Sequence, residues 1–149
     1  MKKLLIYFAY LIAFIVTDLQ SSNAAVAYLR STAGLPWGTT TNETAMTTVF
    51  GAGNWQDLRY ETVNTATLFT ASTTFIFMEG SDQNANELNA FLTANLTTIQ
   101  NWVAAGGRMF LNAAPNEGGN INFGFGGTTL VYPSFSPTSG TVASNHPIF

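Results

Sequence analysis

With no cysteine and a single histidine, His146, this 149-residue chain must draw any chemistry from carboxylates, hydroxyls and aromatic rings. Glu79 and Glu117 each follow a strand-like run, and a carboxylate pair across adjacent strand ends can share acid and base work if separation and pKa values suit. Two ordinary loop carboxylates are the simpler reading. The segment Asp82-Gln83-Asn84-Ala85-Asn86 matches the opening of a calcium loop, whose alternating oxygens wrap a hard cation. Glu87 replaces the turn-forming glycine and Thr93 the closing glutamate, so capping of a helix by Asn84 and Glu87 accounts for the same residues and no metal is expected. Trp37, beside Pro36, offers an apolar face with a polar edge on which a sugar ring could stack, although packing as a loop anchor explains it more simply. The glycines between 118 and 127 lack the following helix and the Lys-Ser/Thr ending of a phosphate cradle, so they read as turns.

The elements that must position these residues alternate between strand and helix. Residues 25–30 form a short apolar run that reads as a first strand, followed by a turn-rich loop through Pro36, Trp37 and Gly38. Residues 41–44 cap a helix carrying Ala45, Met46, Val49 and Phe50, and Gly51 and Gly53 stop it. Residues 56–63 read as a second strand, Asn64 as the cap of a short helix, and residues 73–78 as a third strand apolar enough to be covered on both faces. The clearest pattern is Leu88, Phe91, Leu92, Leu96, Ile99, Trp102 and Val103, one face of a helix of about four turns that Gly106 and Gly107 close. Residues 108–111 make a fourth strand and residues 128–132 a weaker fifth, with a glycine-rich loop without periodicity between them.

Alternating strands and helices predict an α/β fold, a flavodoxin-like three-layer sandwich around a mainly parallel sheet. Ligands in such sheets sit beyond the carboxyl ends of the strands. That rule gathers Trp37, Glu79, Ser81, Asp82, Asn112, Asn116 and Glu117 as candidate ligand-binding residues, none assigned a catalytic role.

The passage Val103-Ala104-Ala105-Gly106-Gly107-Arg108-Met109-Phe110-Leu111 resembles the helix, Gly-Gly and strand of the class I glutamine amidotransferase-like superfamily. Together with Met78-Glu79-Gly80 and the late His146-Pro147-Ile148, it is similar to non-catalytic members found in secreted multidomain proteins of Bacteroidetes. Catalytic members carry a cysteine at the turn after the fourth strand, where a histidine activates its thiolate. Here that turn is Asn112-Ala113-Ala114-Pro115, so the resemblance implies the fold without the activity.

At the front, Met1-Lys2-Lys3 and an apolar run through Val16 have the form of a signal peptide, with Ser22 and Ala24 placed for cleavage before Ala25. The run is short of the roughly 20 residues a membrane span needs. Removing residues 1–24 takes two of the five basic and one of the eight acidic residues, leaving three and seven, a balance of −4. Without a basic patch a nucleic-acid partner is not expected. Only 9% of residues are charged and about twenty are threonine, which suits an exported domain solubilised by neutral polar groups. No fixed-period repeat supports an ice-binding solenoid. Acceptor patterns for glycosylation at Asn42 and Asn95 carry no expectation.

The reading is therefore a non-enzymatic interaction or architectural module of an exported or cell-surface protein, residues 25–149 being the front of a longer chain. Its partner would be a glycan or another surface protein, and it needs no cofactor. The alternative is a hydrolase or carbohydrate-active domain using Glu79, Asp82 or Glu117.

Overall fold

A computed structural model describes residues 25–114, 117–124 and 128–131. The expected signal peptide, Pro115, Asn116, Tyr132 and the His146 region lie outside the described residues. Strand β1 (Ala25–Arg30) leads through a 3-10 turn at Pro36–Gly38 to helix α1 (Thr41–Phe50) and strand β2 (Gln56–Arg59). One turn of helix α2 (Thr65–Leu68), strand β3 (Thr73–Glu79), the long helix α3 (Ala85–Ala104) and strand β4 (Arg108–Asn112) follow. Strands β5 (Ile121–Asn122) and β6 (Thr129–Leu130) complete the described elements.

The sheet runs β2-β1-β3-β4, and every pairing in it is parallel. Parallel strands need cover on both faces, and the alternation along β1 and β3 supplies two apolar surfaces. Val26, Tyr28 and Phe77 point toward α1, where they meet Met46, Phe50 and Trp55. Ala27, Leu29, Ile76 and Met78 point the other way, against Leu68 of α2 and Leu88, Phe91, Leu92, Ile99 and Trp102 of α3. The molecule is thus a three-layer α/β sandwich of the flavodoxin-like kind. Each fully buried Leu or Ile here contributes on the order of 1.5–3 kcal/mol by leaving water. Because α1 follows β1 on one face and α3 follows β3 on the other, the order in which strands join the sheet switches sides between these neighbouring parallel strands. In open α/β sheets the carboxyl ends beside such a switch in winding are where ligands usually sit.

Three expectations need correction. The second strand ends at Arg59 rather than at residue 63, because the Arg59 carbonyl accepts from Thr62 N (3.2 Å) and Val63 N (2.9 Å) and turns the chain. Of the expected fifth strand, Thr129–Leu130 does not extend the parallel sheet but pairs antiparallel with Ile121–Asn122, a segment inside what read as a structureless glycine-rich loop. Ile121 buries itself in the α3-side core, and Gln100 of α3 donates to the Gly124 carbonyl at 2.8 Å, so the hairpin is held by the helix. The caps of α1 and α3 also differ, since neither Thr40 nor Asn84 caps its helix through the side chain, whereas Asn64 caps α2 as expected through Ala66 N.

Among the described residues no helix is long and apolar enough to cross a membrane. The two outer strands differ in character. Strand β2 presents Asp57 and Arg59, charges that discourage edge pairing, while β4 presents Phe110, half-exposed and edge-on to Phe77 at 5.0 Å between ring centroids.

Trp102 ties the end of α3 to the start of β3 by donating Nε1–H to the carbonyls of Thr70 (3.2 Å) and Thr73 (3.1 Å). The indole lies so close to Gly107 that a Cβ there would sit 2.2 Å from Trp102 Cε2. Substituting Gly107→Ala should therefore overpack this corner and cost about 1–3 kcal/mol. Urea unfolding of the two proteins, with an unchanged m-value, checks it.

Candidate functional site

The three loops expected at the strand ends do meet. Gly80 N donates to the Asn112 carbonyl (2.6 Å) and Asp82 N to the Ala114 carbonyl (3.2 Å), extending the β3–β4 pairing past the sheet. Trp37 N donates to Asp82 Oδ2 at 3.0 Å, which brings the loop after β1 onto the loop after β3. Ser31 N donates to Asn84 Oδ1 at 2.8 Å, a second tie between the same loops. Asn84 spends its oxygen there, which is why it does not cap α3, and Glu87 makes no reciprocal cap with it.

At the centre is Glu79, with no exposed surface. Its Oε1 accepts from Ser81 N (2.6 Å) and Ser81 Oγ (2.5 Å), and its Oε2 accepts from Asn42 Nδ2 (2.5 Å). Asn112 Nδ2 reaches both oxygens, at 3.2 and 3.1 Å. A charge so placed survives only if donors replace its lost water, and these donors are all neutral. Asn42 Nδ2 also donates to Tyr28 Oη at 3.1 Å, while Tyr60 Oη donates to the Glu79 carbonyl at 2.8 Å. Two buried phenols thereby bracket the carboxylate from opposite faces of the sheet.

Around this centre lie charged pairs. Arg30 donates Nε and Nη2 to Asp57 (3.1 and 2.9 Å), and its Nη2 is 3.5 Å from Glu43. Arg59 also holds Asp57. Burial pushes the Asp57 carboxyl up, but hydrogen bonds and charge from Arg59 and Arg30 outweigh it and hold the group below the ordinary carboxylate value. Glu61 is shifted the same way: burial raises it, and donation from Ser31 Oγ and the Thr32 backbone more than compensates. Tyr28 and Tyr60 go the other way, driven first by burial and reinforced by the nearby Glu79 charge.

The candidate residues thus divide. Glu79 and Ser81 are inside, and Asn112 is half-buried and bound to Glu79. Trp37 and Asp82 lie nearer the surface; Trp37 is 58% exposed, and Pro36 rather than Trp37 is the buried anchor of the loop. Both have positive φ (54° and 50°), the left-handed region that costs a side-chain-bearing residue roughly 1–2 kcal/mol. Glu117 is half-buried at the start of the glycine-rich segment and is not a partner of Glu79, whose oxygens are taken up by Asn42, Ser81 and Asn112. Among the described residues no three His, Cys, Asp or Glu side chains converge as metal ligands. Asp82 and Asn84, which opened the calcium-like pattern, bind Trp37 N and Ser31 N instead.

Tyr28, Ser31 and Tyr60 were not singled out from the sequence, while Asn42 was noted only as a glycosylation acceptor and Asn84 only as a helix cap or calcium-loop position. One signal was present: Tyr28 lies mid-strand in a run that must be buried, and a buried phenol requires a polar partner. Asn42 carried no such sign.

Replacing Glu79 with Gln keeps the shape but points an NH2 group at Ser81 N–H or at the two asparagine amides. Glu79→Gln should lose about 2–3 kcal/mol of stability, read from thermal or urea unfolding.

Stability should also depend on pH at both ends. Asp57 and Glu61 have lowered folded pKa values, so their contribution is complete above the unfolded value near pH 4 and disappears as pH falls through the folded values. Tyr28 and Tyr60 have raised values, so stability holds up to about pH 10 and declines above it, where only the unfolded chain's phenols ionise. Urea midpoints across a pH series should be flat in between and fall on both sides.

Comparison of the chain with protein-family models, with curated proteins and with solved structures found no match, so its role is argued from its own geometry.

Proposed function

We propose that this chain is a non-enzymatic interaction module of an exported protein, allied to the non-catalytic amidotransferase-like domains, that meets its partner at the carboxyl end of the sheet. The observation that carries the reading is the state of Glu79. Among the described residues it is the one fully buried carboxylate at the strand ends, and both of its oxygens are filled by Asn42, Ser81 and Asn112. A carboxylate saturated by donors and shut from solvent has no lone pair to present to a substrate proton, so its work is structural. The turn after β4, where the catalytic domains place a thiol, offers Asn112-Ala113-Ala114, and the Asn112 amide is spent on Glu79. The kinship itself rests on the sequence resemblance through Gly106, Gly107 and Arg108.

What remains presentable is Trp37. Its ring is open to solvent while its backbone is fixed by Asp82, so docking against it loses little conformational freedom. A planar indole on a fixed backbone beside a carboxylate suits the apolar face and hydroxyl rim of a neutral sugar. The export reading rests on the signal-like residues 1–24 and on the low content of charge.

The test is a binding screen of the secreted protein against neutral glycans, combined with assays for their hydrolysis. Binding without turnover is expected, and Trp37→Ala should weaken it at least about tenfold, the equivalent of about 1.4 kcal/mol, with an unchanged melting temperature. Hydrolysis that falls on Glu79→Gln by more than the loss of folded protein would refute the reading.

A further inference from the structure

Strand β4 has a neighbour on one side only. Its inner edge pairs with β3, and among the described residues no strand meets the outer one, the β5–β6 hairpin forming a separate sheet. Which groups lie open follows from the bonds that continue the pairing past the sheet. The Asn112 carbonyl accepts from Gly80 N and the Ala114 carbonyl from Asp82 N, so the even-numbered residues of β4 turn their backbone groups toward β3. Parallel pairing uses alternate residues, so Met109 and Leu111 turn their N–H and C=O outward. Such an edge is a template for another strand unless it is guarded. At the far edge of the sheet Asp57, held by Arg30 and Arg59, guards β2. On β4 the only charge is Arg108, which makes no ion pair among the described residues, and the middle residue is Phe110, 53% exposed.

The side chains of Arg108, Phe110 and Asn112 share the face on which α1 lies, since they alternate with Met109 and Leu111. There Phe110 rests edge-on against Phe77, and Asn112 gives its Nδ2 to Glu79 at 3.2 and 3.1 Å. The Oδ1 of Asn112 is the acceptor left over.

We propose that the outer edge of β4 pairs antiparallel with the same edge of a second copy, about a two-fold axis through Phe110. In this register Met109 lies opposite Leu111 of the second copy, and each such pair exchanges the outward N–H and C=O groups. Phe110 meets its own counterpart as a non-hydrogen-bonded pair, the kind in which side chains come closest, so two half-exposed rings cover each other. Arg108 lies opposite Asn112 of the second copy, where its guanidinium donates to the Oδ1 of an amide that already faces the Glu79 carboxylate. The like charges stay apart: the two Arg108 residues are separated by four positions along the ladder, roughly 14 Å, beyond the screening length of about 8 Å at physiological salt. Only this centre uses all five residues of β4. Each residue of the patch meets the residue it must meet twice, as a closed two-fold contact requires. The product is a continuous sheet of eight strands, four from each copy, with α1 of both on one side and the two Trp37 ends pointing in opposite directions. The inference is independent of what Trp37 binds.

The chain has no cysteine, so a single introduced thiol reports on this register alone. Phe110→Cys sets two sulfurs across a non-hydrogen-bonded pair, where Cα atoms about 4.5 Å apart allow a disulfide. Under mild oxidation it is expected to form a covalent dimer at least about tenfold faster than Val49→Cys, because pairing raises the effective concentration of the thiols; Val49, on α1, is 71% exposed and lies away from the edge. In sedimentation the unaltered protein should show a monomer–dimer equilibrium that Phe110→Lys abolishes by setting like charges opposite each other. Amides of residues 109 and 111 should exchange with solvent slowly in concentrated protein and quickly on dilution. A monomer at every concentration, equal rates for the two cysteine variants, or a dimer that persists in Phe110→Lys would each overturn the proposal. Slow exchange at 109 and 111 in the dilute monomer would do the same, by showing that the chain covers this edge itself. A Trp37→Ala protein should dimerise normally, which separates this edge from the end of the sheet that Trp37 marks.

Discussion

The structure hangs on one buried negative charge. Glu79 ends the central strand β3 in a position where solvent is excluded, and taking a carboxylate out of water costs several kcal/mol even after relaxation. The donors that offset this cost come from separate elements: Asn42 from α1, Ser81 from the turn after β3, and Asn112 from the end of β4. None of these elements can shift without stripping a donor from the charge. The carboxylate therefore sets the register in which a helix on one face and the neighbouring strand meet the end of β3. Hydrophobic packing is directionless and could tolerate a sliding α1; the Asn42 hydrogen bond does not. Tyr28 and Tyr60 close the network from the two faces, so both apolar layers are referenced to the same residue.

The positions of the main elements were legible because their signals are periodic. The apolar positions from Leu88 to Trp102 describe a helix face over many residues, and β3 is a β-prone run too apolar for any place but the sheet centre. Where the signal was local, tertiary contacts overruled it. Residues 60–63 have strand-like composition, yet Tyr60 turns inward to reach the Glu79 carbonyl and the chain turns with it. Asn84 and Glu87 have the spacing of a reciprocal cap, but Ser31 N competes for the Asn84 oxygen from 53 residues away. The two-residue strands of the hairpin are below the length at which alternation can be recognised, and Gln100 of α3 and the burial of Ile121 hold them.

The candidate site was legible as a place and opaque as chemistry. Topology alone says that the loops after β1, β3 and β4 converge, and the bonds from Trp37 to Asp82 and from Asp82 to Ala114 realise that convergence. Which carboxylate faces solvent is a different matter, decided by donors distant in sequence. Glu79 reads as a loop acid because it precedes a glycine and a serine, and nothing local announces that Asn42 and Asn112 will enclose it. Gly80 does mark the spot for a reader who knows the packing. A Cβ there would come within 2.1 Å of Leu88, so the chain leaving Glu79 runs tight beneath α3.

The same rigidity explains how a large aromatic can stand exposed on a strained backbone. Trp37 and Asp82 are the two side-chain-bearing residues with positive φ among those described, and the Trp37 N–H donates to the Asp82 carboxylate. Two left-handed residues cost together on the order of 2–4 kcal/mol, more than one hydrogen bond of about 1–3 kcal/mol returns. The remainder must come from anchors on either side, namely the buried Pro36 before Trp37, the fixed Ser81 before Asp82, and the Asp82 N bond to Ala114. Since Ser81 is fixed by Glu79, the strain at the surface is underwritten by the charge in the interior. A chain lacking that charge could relax both residues to ordinary geometry, and the indole would then lose the orientation in which it faces solvent.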